Sequence, residues 1–89
     1  MGDRLTRAEL TALLRDLLAD ILELDPEQVR VDDDLVDELD ADSLQRLELM
    51  TEVEHRVGAR LDFRAWCEAR TLAELADLTL RARGEPQPR

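Results

Sequence analysis

Apolar residues first recur at helical spacing in Leu10, Leu13, Leu14, Leu17, Leu18 and Ile21. Positions three and four apart share one face of a 3.6-residue helix, so this run predicts an amphipathic helix of about four turns. Thr6 and Glu9 form a Thr-x-x-Glu start signal just ahead of it. Pro26 is expected to stop the helix soon after Leu24. The stretch from Asp25 to about Asp42 reads as a loop, long for so short a chain. Val29, Val31, Leu35, Val36 and Leu39 are scattered through it without a period and are expected to anchor it to the core.

A second helical pattern runs from about Ser43 to Val57. Asp42 and Gln45 resemble another capping box, which makes Asp42 the N-cap and Ser43 the first helical residue. Gly58 takes the usual role just past the end. At about 100° per residue, Leu49, Met50, Val53 and Val57 fall on one side and form the core face. Leu44, Leu47, Glu48, Thr51, Glu52, Glu54 and His55 fall on the other. Leu61 and Phe63 are expected in a buried connection, and Arg64 to Ala69 in a short helical turn. Thr71 and Glu74 make a third capping box, after which Leu72, Leu75, Leu78 and Leu80 define a last helix to about Arg83. Three substantial helices and one short one predict an all-α fold, a small four-helix bundle with a long first loop and a short third helix.

Length and composition narrow the function. The 89 residues suffice for one small domain, assigned to residues 1–83, with a disordered tail over 84–89 where glycine and prolines break the pattern. Phe63 and Trp66 are the only aromatics, so the core is expected to be aliphatic. The net charge of −10 argues against nucleic acid and against anionic membranes. It suits soluble partners with basic docking patches. No leader-like segment opens the chain and no apolar run is long enough for a bilayer, so a cytoplasmic monomer is expected. Cys67 is the single cysteine; it excludes an internal disulfide and reads as buried filler. Asp32, Asp33, Asp34 and Asp37 lack the order of an EF-hand calcium loop, and no metal site is assigned.

The candidate chemistry centres on Ser43. A serine at a helix start is ordinarily a cap. Here Asp42 already holds the cap position, which leaves the Ser43 hydroxyl to point outward. Helix N-termini present N–H groups and a positive dipole end to an anion such as a phosphate ester. Leu44 and Leu47 beside Ser43, ringed by Glu48, Thr51, Glu52, Glu54 and His55, form a candidate docking face for a basic partner. A solvated helix face is the plainer reading of the same residues.

The pattern around Ser43 extends over most of the chain. Leu22 to Pro26, Val29, the acidic run Asp32 to Leu35, Asp42-Ser43-Leu44, Glu48-Leu49, Val53 to Leu61 and Thr71-Leu72 together resemble the acyl carrier protein family. The resemblance implies the same four-helix fold. It also implies a 4′-phosphopantetheine arm on Ser43, added from coenzyme A by a phosphopantetheinyl transferase, with Asp42 as a recognition residue for that step. The protein would then be a non-catalytic carrier that holds acyl groups as thioesters for acyl-loading, condensing and tailoring enzymes. Asp40 stands where glycine is frequent in the family, and Gln45 where many fatty-acid carriers have aspartate. Phe63 to Cys67 is also unlike the housekeeping connection. These departures point to polyketide or related natural-product synthesis. A peptidyl carrier is the second reading, disfavoured because no Gly-Gly approach precedes the serine. An unmodified acidic helical interaction module is the third, and a small enzyme using the carboxylates has least support.

Overall fold

A computed structural model describes residues 5–84; the expected tail beyond Gly84 lies outside the described residues. Thr6 starts α1, Arg7–Leu22. Its hydroxyl accepts from the Glu9 N–H, and its own N–H donates to the Glu9 carboxylate. The helix ends at Leu22, slightly earlier than Pro26 alone suggested, because Glu23 turns left-handed (φ 60°) and its N–H folds back on Ala19 and Asp20. The long loop follows, opened by one 3-10 turn at Pro26–Gln28. The second helix, α2, spans Ser43–Val57 and stops at Gly58, whose φ of 70° favours glycine. Asp62 caps the short α3, Phe63–Glu68, and Thr71 caps α4, Leu72–Ala82. The third capping box is only half formed, because the Glu74 carboxylate accepts from the Arg70 N–H instead of closing on Thr71.

The all-α bundle is therefore as its periodicity implied. Leu5, Val57, Gly58 and Ala82 line one depression, so α1 begins where α2 and α4 end. The core joins Leu10, Leu14, Leu18 and Ala19 of α1, Leu49, Met50 and Val53 of α2, and Leu72, Leu75 and Ala76 of α4. It is not purely aliphatic. Trp66 of α3 is a fully buried member of it. Its indole N–H donates to the Arg46 carbonyl at 2.9 Å, and the Arg46 guanidinium donates to the Cys67 carbonyl at 3.1 Å. This reciprocal pair satisfies the polar edge of a large buried ring and locks α3 onto the first turns of α2.

Several expected burials do not occur. Val29 and Leu35 anchor the loop, but Val31 and Val36 are exposed, as is Phe63. Cys67 is half-buried rather than filler. The loop is held by polar ties instead. The Leu35 N–H donates to the Arg70 carbonyl, the Ala73 N–H to the Val31 carbonyl, and Asp34 bridges to Thr71. Asp34 accepts from the N–H groups of Val36 and Asp37 and from Nε and Nη2 of Arg70. The Asp37 N–H, the Arg70 guanidinium and the Val36 N–H hold the Asp34 carboxyl below its ordinary value, against the opposing effect of burial. The Arg70 guanidinium is correspondingly raised by Asp34. A carboxyl with a depressed folded value stabilises the fold above its unfolded value, and that stability is lost as the pH falls through the folded one. Asp34→Asn is thus expected to lower the urea midpoint at pH 7, with the gap from the parent chain closing as the pH drops below about 4. A gap that stays constant from pH 7 to pH 3 would refute the role of the charge.

Candidate phosphopantetheine attachment site

The site is built where the loop meets α2. Asp40 adopts a left-handed conformation (φ 58°) two residues before the cap. Aspartate tolerates this region better than most side chains, which explains how it stands in a position suited to glycine. Ala41 then turns inward, buried, with its N–H on the Leu35 carbonyl. That contact fixes the approach to the helix.

Asp42 is the N-cap. Its Oδ1 accepts from the Gln45 N–H at 2.8 Å, and its own N–H donates to Gln45 Oε1 at 3.0 Å. Gln45 therefore completes the box from the third position of the helix. Ser43 is the first helical residue and exposed. Its hydroxyl makes no hydrogen bond among the described residues, because Asp42 has taken the capping task. The positive end of the helix dipole lies at this position, where a phosphodiester on the hydroxyl would be favoured. No buried polar cradle surrounds the oxygen; the geometry fits a group anchored by one covalent bond and otherwise free to leave the surface.

The face beside Ser43 divides in two. Leu44 is 66% exposed and Leu47 36%. They share a groove of about 430 Å³ with Glu48, Thr51, Glu52 and Arg56 of α2 and with Leu17, Asp20 and Ile21 of α1. The contribution of α1 was missed because only three-dimensional packing brings its Leu17 edge to α2. Glu54 does not belong to this groove. It is half-buried, and its carboxylate accepts the Leu61 N–H at 2.7 Å, which braces the turn into α3. His55 is exposed and lies around the helix with Glu54, Ala59 and Arg60. No cluster of potential metal ligands occurs among the described residues, and none of their helices is long and apolar enough to cross a membrane.

A four-helix bundle that presents an unengaged serine at a helix start defines a class of carrier domain. A family model described as the phosphopantetheine attachment site matches residues 12–79. The chain belongs to this family of acyl carrier proteins, and its cofactor is 4′-phosphopantetheine. It is 46% identical over 48 residues to the polyketide-8 synthase acyl carrier protein 2 of Streptomyces avermitilis, covering 54% of this chain and 55% of that one. It is 29% identical over 70 residues to an acyl carrier protein of Rhodococcus erythropolis, covering 79% and 77%. The chain thus spans little more than half the length of the first relative.

Proposed function

We propose that this chain carries its phosphopantetheine on Ser43 and delivers acyl groups to soluble partner enzymes, without catalysing a reaction itself. The observation that supports this most is the division of labour at the start of α2: Asp42 and Gln45 close the cap while the neighbouring hydroxyl stays exposed. In the attachment step, Ser43 Oγ attacks the phosphorus that bears the pantetheine in coenzyme A. The anhydride P–O bond breaks, adenosine 3′,5′-bisphosphate leaves, and the hydroxyl proton passes to a base on the transferase. Once bound, the arm supplies a terminal thiol that holds acyl groups as thioesters. Tethering raises the effective concentration of the cargo at each docked enzyme. The likeness to a polyketide synthase carrier supports polyketide synthesis as the setting.

Asp42 has two tasks in this reading, and they separate by substitution. Asparagine caps a helix about as well as aspartate. Asp42→Asn is therefore expected to keep the helical spectrum and thermal midpoint while slowing transfer of the arm to Ser43, followed by intact mass over time. An unchanged rate would remove Asp42 from transferase recognition and leave it as a cap alone.

Docking rests on Leu44 and Leu47 as small apolar anchors and on Glu48 and Glu52 as steering charges. Charge reversal at both glutamates is expected to slow turnover of the loaded carrier by partner enzymes about tenfold or more at low salt, mainly through association rate. The helical spectrum should not change. Turnover equal to the parent chain would move the docking face elsewhere.

A further inference from the structure

The interior of this bundle leaves no room for cargo where α3 meets α2. Trp66 is fully buried there, its indole N–H bonded to the Arg46 carbonyl, and Arg46 in turn holds the Cys67 carbonyl. An acyl chain entering between α3 and α2 would have to displace the largest side chain of the core. The groove between α1 and α2 is open instead, and Leu44, the residue next to Ser43, lines it.

Given Ser43 attachment, we propose that the α1–α2 groove is the resting place of the loaded arm, and that it accepts neutral, apolar acyl groups and rejects carboxylated ones. Three physical features carry this. The first is reach. An extended arm of about fourteen bonds between Ser43 Oγ and the thiol spans roughly 17 Å. Leu44 to Glu52 along α2 spans about 12 Å, shorter than the extended arm, so an arm that is partly folded back sets its cargo within the groove. The second is surface. Leu17, Ile21, Leu44 and Leu47 offer apolar contact that water leaves on cargo binding. The third is charge. The lining holds Asp20, Glu48 and Glu52 against Arg56 alone, so an additional carboxylate meets net repulsion, whereas the uncharged length of the arm does not. A partner that engages Leu47, Glu48 and Glu52 would compete with the cargo for the same ground, which couples docking to release.

The test uses the full chain, labelled with nitrogen-15 and methyl carbon-13, loaded from hexanoyl- or adipoyl-coenzyme A by a broad-specificity transferase. The two cargoes have the same number of carbons and differ in the terminal carboxylate. Intact mass and the Ser43→Ala control establish attachment independently of the groove. Relative to the unacylated arm, hexanoyl loading is expected to shift the resonances of Leu17, Ile21, Leu47 and Thr51, while adipoyl loading leaves them near their starting positions. The Trp66 indole N–H signal is expected to stay fixed with both. Leu47→Asp, a change at a partly exposed position, is expected to abolish the hexanoyl shifts at Leu17 and Ile21. Movement of the Trp66 indole and Val53 signals with a silent groove would overturn the proposal in favour of core burial. Shifts confined to residues next to Ser43, or equal groove shifts from both cargoes, would overturn it as well.

Discussion

Ser43→Ala, incubated with coenzyme A and a broad-specificity phosphopantetheinyl transferase, is expected to keep its original mass, whereas the parent chain is expected to gain one phosphopantetheine. The expected effect is complete because the proposed function makes the serine hydroxyl the nucleophile of the transfer. The variant also isolates that role. Ser43 is exposed, and the cap bonds run between Asp42 and Gln45. Alanine is the best helix former, so the helical spectrum and unfolding midpoint should hold. A mass gain that persists in Ser43→Ala would place the arm on another residue and end the attachment assignment. A parent chain that gains nothing would favour an unmodified interaction module.

The second large effect falls on stability. Trp66→Ala is expected to cost about 3–5 kcal/mol, the range for deleting a buried aromatic. Domains of this size hold only about 0.05–0.15 kcal/mol per residue. The variant should therefore lose a large share of its stability, read as a marked fall of the urea midpoint. Trp66→Phe retains much of the apolar volume but removes the donor to the Arg46 carbonyl, and should cost about 1–3 kcal/mol. Equal midpoints for Trp66→Phe and the parent chain would show that the indole bond contributes nothing to holding α3 on α2.

These two residues mark what was and was not legible in the chain. The helices were legible because their signals are local. Thr6 with Glu9, Asp42 with Gln45, and Gly58 each act within one turn, and Leu10 to Ile21 repeat the helical period. The exposed Ser43 followed from the same local logic, since only one residue can occupy the cap. The loop carried no such period. Nothing in the sequence around Val31 and Val36 distinguishes them from Val29 and Leu35, and burial there is decided by where Arg70 and Thr71 return in space. Arg46 carries no local signal of its task, which is to form one half of a bond pair with Trp66 and Cys67, twenty and twenty-one residues away. Glu54 lay on the correct side of a helical wheel, yet Leu61 claimed its carboxylate. A wheel assigns directions and does not know what the next segment will cover.

The pole where α1 starts and where α2 and α4 finish has a practical consequence. Leu5 and Ala82 stand there together, about 20 Å from the beginning of α2 at the rise of an α-helix. A reporter or a neighbouring catalytic module fused before Leu5 or after Ala82 would hang from the far side of the molecule. The start of α2, with Ser43 and the groove beside it, would stay clear of such a fusion and open to whatever docks there.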